Sequence, residues 1–249
     1  MPGQERTSWG EGGMDTVRSS NSRVLLAKIE LTCGSLGCAL DDLWSHPELP
    51  DRFPRFLVLL HQIMRASVPL MELARDAALE RRGSDPSAEG LAAYFAHHID
   101  EERNHDVWTL EDLVAAGFDG EAVLAQTPPP SLAAMVGSQY YWILHHHPAA
   151  LLGYIAILEG NPPNQAHIDR LQAQTGLPVA AFRTYRMHGR LDPHHRDELY
   201  RVIDELPLTP ALAGLIGTSA THTAQMLAWS LDGLDCIAHP PRTGERRAA

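Results

Sequence analysis

Lysine is all but missing from this chain: Lys28 is the only one in 249 residues, and every other formally basic residue is an arginine. Chemistry that runs through a lysine Schiff base is therefore not expected. Cysteine is scarce as well. Cys33, Cys38 and Cys236 form no C-x-x-C pair, which excludes a disulfide framework and a thiolate zinc site. With no signal-peptide pattern in view, the expected compartment is the cytoplasm. No basic patch or stripe offsets the formal net charge of -11, so nucleic acid is not an expected partner. Alternating apolar and polar runs are nearly absent, which argues against a β-sheet. The longest apolar segment, AAMVGSQYYWILHHHPAALLGYIAIL, holds three histidines and a proline, and so predicts a soluble chain with no membrane span.

What is present is helical periodicity over a chain that is 44% hydrophobic. The pattern predicts helices over 21–45, 52–82, 87–117, 130–160, 164–175, 178–205 and 209–233. Gly117, TPPP and GNPP supply stops, with bends expected at Pro148 and Pro193. Seven helices around one core make an all-α bundle. Residues 1–20 read as a disordered leader, 21–236 as a single helical domain and 237–249 as a flexible tail.

Two motifs carry chemistry. MHGRLDPHH places His188, Asp192 and His195 at offsets 0, 4 and 7, on one face of a helix. HHIDEERNHDVW contains an E-x-x-H pair, Glu102 and His105, about 60° apart round a helix axis. Glu101 lies four before His105, so the choice between the two glutamates stays open, and His98 sits one turn below Glu102. Either motif alone reads as a solvated face; together they read as parts of a metal site. Two more carboxylates lie in apolar surroundings: Glu159 at the end of PAALLGYIAILEG, and Glu72 in ASVPLMELA. A carboxylate in such a run must be paired or ligated if buried. Glu72, Glu102, Glu159 and Asp192 would balance two Fe(II) ions, with His105, His188 and His195 neutral. Oxygen-rich ligation with some imidazole suits iron or manganese.

The order Glu, E-x-x-H, Glu, H-x-x-x-D-x-x-H resembles the heme-oxygenase-like diiron oxidases and oxygenases, also called the iron-containing redox enzyme family. HHIDEERNHDVWTLEDLVAAGF, GSQYYWILHHHPAALLGYIAILEG and HGRLDPHH are similar to its core helices, and the likeness spans roughly residues 50–235. The resemblance implies a seven-helix heme-oxygenase-like bundle. Its metal ligands would fall on Glu72, Glu102, His105, Glu159, His188, Asp192 and His195. It implies two Fe ions, O2 as co-substrate, and a small metabolite that is an amino acid, an amine or fatty-acid-like. N-oxygenation, desaturation and oxidative C–C cleavage are the reactions it brings. Heme oxygenases proper need a histidine on the first helix, and thiaminase-type relatives a pocket cysteine; this chain has neither so placed.

Helical spacing adds substrate-binding candidates: Thr184 and Tyr185 one turn before His188, His98 below Glu102, and Arg65 seven before Glu72, where it could hold a carboxylate. Tyr140, Tyr141 and the run His145–His147 are expected to pack or to cap the bend at Pro148. An external electron donor and a homodimer are the expected partners beyond the substrate. The alternatives are an iron-oxidising or storage protein, disfavoured by the single E-x-x-H, and a non-catalytic module whose His/Glu stripe is a partner surface.

Overall fold

The computed structural model describes residues 20–244. The expected leader lies outside the described residues except for Ser20, as does the end of the expected tail. In chain order the helices are α1 (Asn21–Thr32), α2 (Gly34–Ser45), α3 (Leu49–Glu80), α4 (Ala88–Glu102), α5 (His105–Ala115) and α6 (Gly120–Leu124). They continue with α7 (Pro130–His145), α8 (Ala150–Leu158), α9 (Gln165–Thr175), α10 (Arg183–Glu205) and α11 (Pro210–Asp232). Short 3-10 turns lie at Val179–Phe182 and Leu234–Cys236. Among the described residues there is no strand, only an isolated antiparallel bridge between Phe118 and Arg242.

The chain is all-α as expected, but eleven helices replace seven. Each expected segment is helical; three are split and α6 is additional. The first splits at Cys33, with φ -101° and ψ 20°. The third splits at Arg103–Asn104, where Asn104 takes φ 71°, the only positive φ at a non-glycine among the described residues. Asparagine tolerates that left-handed conformation, and the helix formers Glu101, Glu102 and Arg103 before it conceal the break. The fourth splits between α7 and α8 around Pro148. There His147 Nε2 donates to Asp85 Oδ2 at 2.6 Å, and its Nδ1 accepts from Ala149 N at 3.1 Å. Pro193 lies inside α10, which continues through it without a break.

α8 is central because its sequence, ALLGYIAIL, is apolar on every side, and Ala150–Ala156 are all buried. It packs mainly on α11. Gly153 permits the close approach: a Cβ there would lie 2.1 Å from Ile216 O and 2.7 Å from Ala220 N. α3 packs on α4 and α5. It is long and apolar enough to cross a membrane by length and composition, yet fifteen of its residues are buried in the bundle, so its apolar faces belong to the core. Side chains such as Leu57, Leu59 and Leu70, all fully buried, each contribute roughly 2 kcal/mol. α10 is the opposite, a polar helix with one buried stripe of Thr184, Asp192, His195, Leu199 and Ile203. Its N-terminal half therefore brings polar groups into the core, which is unusual without partners.

Residues 237–244, expected in the flexible tail, pack on the turn between α5 and α6. Asp119 N donates to Pro241 O at 2.8 Å and Thr243 N to Gly117 O at 3.0 Å. Ile237, 5% exposed, supplies the apolar anchor that a polar composition concealed.

Candidate metal centre

Four helices deliver ligand-type side chains to one buried region. His98 and Glu102 come from α4, Glu159 caps the C-terminus of α8, and His195 comes from α10; one ligand atom from each lies within 4.8 Å of the others. Glu102, His105 of α5 and His188 of α10 form a second such group. Glu102 belongs to both. His195 Nδ1 lies 3.5 Å from Glu102 Oε1 and 3.7 Å from Glu159 Oε2. His105 Nδ1 lies 2.9 Å from Glu102 Oε2, without the alignment of a hydrogen bond. His188 Nδ1 donates to Asp192 Oδ1 at 2.8 Å, which leaves Nε2 with its lone pair free. Carboxylates that orient a histidine in this way commonly stand behind metal ligands. Aromatic rings hold the imidazoles: Tyr94 stacks on His98, and Trp108 stacks on His105 with centroids 4.1 Å apart.

The electrostatics follow from burial and mutual proximity. Burial acts to lower the His98 pKa, but Glu159, accepting from its Nε2 at 2.9 Å, and Glu102 outweigh this and raise it to about 9. Burial likewise acts to raise Glu102, yet His105, His188 and His98 bring it down to about 2. Burial dominates at Glu159 and raises it, against the pull of His98. At His188 burial is outweighed by Asp192, and the pKa rises.

The expected residues divide clearly. Glu102, His105, Glu159, His188 and His195 come together. Asp192 is buried but outside both groups; it stands behind His188 and lies 3.9 Å from His195 Nδ1. Glu72 is not brought to the centre. On α3 the inward positions belong to Met64, Ser67 and Met71. Glu72, one residue and about 100° beyond Met71, is half-buried and acts on Arg75. In its place stands His98, expected to bind substrate. The signal was its position one turn before Glu102. Among the other substrate candidates, Arg65 is exposed and lines no cavity at the centre. Thr184 is buried against α5, its N–H donating to Asp112 Oδ2 at 2.9 Å. Tyr185 does line the cavity described next. Tyr140, Tyr141 and His145–His147 join none of the ligand groups.

A cavity of about 450 Å³ opens onto the centre. Glu102, Glu159, His188 and Asp192 form its inner wall, and Leu26, Leu36, Phe56, Leu60, Ile63 and Leu227 are among its apolar sides. No arginine or lysine lines it. It shares Gly37, Leu40, Asn161, Pro163 and Tyr185 with a wider outer cleft that carries Asp41, His167 and Arg170. A polar vestibule thus leads to an apolar chamber.

Asp112 fixes how α5 and α10, the helices of His105 and His188, meet. Burial raises its pKa to about 6, against the Thr184 N–H, which lowers it. A carboxyl raised above its unfolded value of 3.8 burdens the fold when ionised. The cost is absent below the unfolded pKa and complete above the folded one, at most about 3 kcal/mol. Asp112→Asn keeps an acceptor for Thr184 and removes the charge. Its Tm relative to the parent chain is expected to climb as pH rises from about 4 to 6; a constant difference across that window would refute the assignment.

Residues 90–228 match the model of a family described as iron-containing redox enzymes. The chain belongs to that family. The match contains every residue of both ligand groups and excludes Glu72. Two solved structures resemble this iron-containing redox enzyme throughout. One, from Shewanella denitrificans, is described as a domain of unknown function with a heme oxygenase-like fold; it is 17% identical, with a TM-score of 0.68, over 87% of this chain and 89% of that one. The other, a TenA homolog from Pseudomonas syringae pathovar tomato, is 13% identical, with a TM-score of 0.65, over 86% of this chain and 92% of that one. They establish the heme oxygenase-like fold. No curated protein matches the chain.

The donor set of this iron-containing redox enzyme fits a cation. Glu102 Oε1, His105 Nδ1, Glu159 Oε2, His188 Nε2 and His195 Nδ1 are all shielded from solvent and have no hydrogen-bond partner. Five such atoms in two adjoining groups are costly for a fold unless positive ions satisfy them. Imidazole and carboxylate together suit iron.

Proposed function

We propose that this chain is a non-heme diiron enzyme that activates O2 against a largely apolar small metabolite. The observation carrying this reading is the set of five unpartnered buried donor atoms in two groups that share Glu102, three of whose residues, Glu102, Glu159 and His188, line the inner wall of a largely apolar chamber. His98, Glu102, Glu159 and His195 would hold one ion, and Glu102, His105 and His188 a second. Bound ferrous iron supplies the electrons that O2 chemistry needs, and an external donor would restore them.

The remaining roles belong to the chain. The apolar walls exclude water from the reacting region and hold the substrate by contact rather than charge. The carboxylate of a zwitterionic amino acid would find no arginine or lysine among the cavity residues, so a body held mainly by apolar contact is the better fit. A polar head could rest in the vestibule near Arg170 and His167. Asp192 holds His188 in the tautomer that presents Nε2, and Trp108 and Tyr94 restrict the rotation of His105 and His98. The partner-surface alternative requires an exposed stripe, whereas Glu102, Asp192 and His195 are buried. A storage role gives no purpose to an apolar chamber.

The test is an anaerobic Fe(II) titration of the metal-free protein, followed by mixing with O2 under stopped-flow absorbance. Two tightly held irons per chain and a transient visible band are expected. Stoichiometry near zero with no transient would sink the proposal.

A further inference from the structure

Outside the centre, on the surface shared by α4 and α10, a third group gathers: His97, Glu101 and Glu198. His97 Nε2 lies 3.5 Å from Glu101 Oε1 and 3.7 Å from Glu198 Oε2. The His97–Glu101 spacing is an ordinary pair along one helix, but Glu198 reaches in from another. Arg201 holds Glu198 Oε1 at 3.0 Å, while Oε2 is shielded from solvent and has no hydrogen-bond partner. Tyr94, 4% exposed, also has a hydroxyl without a partner. It lines the same cavity of about 410 Å³ as His97 and Glu198.

Glu101 joins this group to the buried one. Its Oε1 faces His97, while its Oε2 lies 3.4 Å from His98 Nδ1 and 3.7 Å from His195 Nε2. One carboxylate therefore touches the ligands on both sides. The two glutamates that the sequence left undecided take different places: Glu102 lies inside the centre, and Glu101 stands between the centre and the surface.

The alternative way in is poor for an ion. Through the vestibule a hydrated divalent cation would cross a chamber of leucine, isoleucine and phenylalanine. Glu30 is the one carboxylate in that chamber before the inner wall, and the mostly apolar sides would strip water from the ion at a desolvation cost. At the α4–α10 surface it would meet one imidazole and two carboxylates, a donor set that suits first-row divalent ions and neutralises two charges. Arg201 beside Glu198 opposes the ion, so the site would hold it weakly, with water in the remaining positions.

We propose that His97, Glu101 and Glu198 form an outer divalent-metal site that loads the buried centre, Glu101 handing the ion inward. The proposal rests on the reading of that centre as a metal site. The outer site is expected to release its ion readily, and the inner groups to retain theirs.

Mn(II) is the probe, its free form followed by electron paramagnetic resonance, on the full chain. The parent protein is expected to bind two ions tightly and one weakly. His97 is 56% exposed, so His97→Ala is expected to fold normally, retain both tight ions and lose the weak one. Its rate of loading should fall at least tenfold, and Glu101→Gln should slow loading likewise. Glu102→Ala should keep the weak ion alone, and adding His97→Ala should remove it. A His97→Ala chain that loads at the parent rate with the parent stoichiometry would overturn the outer site and leave the inner one standing. No uptake by the parent would overturn both.

Discussion

Glu102→Ala is expected to strip the buried centre of tightly held metal, and Glu72→Ala to leave its metal content unchanged. Glu102 is the one side chain common to both ligand groups, so its loss removes a donor from each ion at once. Losing a supporting partner behind a ligand weakens metal affinity about 10–100-fold; losing the shared ligand should exceed that at both positions. The carboxylate also supplies negative charge beside His105, His188 and His98, which hold its pKa down against burial. Metal analysis after gel filtration should fall from two ions per chain to none. Glu159→Ala or His188→Ala removes a ligand from only one group and should cost the ion on that side first. Glu72 touches neither group, and Glu72→Ala should keep both ions. If Glu72→Ala emptied the centre, α3 would have to present a different face from the one bearing Met64, Ser67 and Met71. If Glu102→Ala kept two tight ions, the shared-ligand arrangement would be wrong.

Gly153→Val should be the most damaging single substitution in the bundle core. A Cβ at this position falls 2.1 Å from one backbone atom of α11 and 2.7 Å from another. No rotamer relieves a clash with backbone; α8 and α11 must separate. Overpacking usually costs about 1–3 kcal/mol and occasionally more, and valine adds two methyl groups beyond the clashing Cβ. A loss of about 3 kcal/mol or more is expected, with Tm down by roughly 6–12 °C for a domain of this size. The injury should reach the centre too, because Glu159 lies at the end of the same helix and would move with it. Gly214 on α11 is the control: nothing lies within 4 Å of a Cβ built there, and Gly214→Ala should be neutral or slightly stabilising. Thermal melts of the two variants with metal analysis would decide it. Equal stability would mean that the helices do not cross at Gly153 as closely as described.

Helical periodicity made the all-α class and the position of every long helix legible from the sequence. The breaks were less so. Pro148 announced one; Gly34 after Cys33 was only a weak signal inside a helical pattern, and Asn104 announced nothing, since tertiary packing decides where such a segment ends. Within the centre, motifs on a single helix were legible because spacing fixes the face: Glu102 with His105, and His188 with His195. Glu159 was legible as a charge closing an apolar run. Glu72 looked the same and was not, because a 32-residue helix presents many faces and only packing selects one. His98 was visible at the right spacing, but its role depends on Glu159 reaching it from α8, and no local pattern encodes that distance. The chamber is assembled from side chains of α1, α2, α3, α4, α8, α10 and α11, and no stretch of sequence contains it.

With Asn104 in the left-handed region, Glu102 and His105 ride on two separate rods joined by a two-residue pivot. An ion gripped by both would cross-link the rods. The bare chain would then have a jointed arm where the loaded chain has a rigid one. Further along that arm, Asp112 clamps the start of α10. Occupancy of the centre would thus be felt as stiffness in the frame that presents His188, and each bound ion would help hold the next ligand in place.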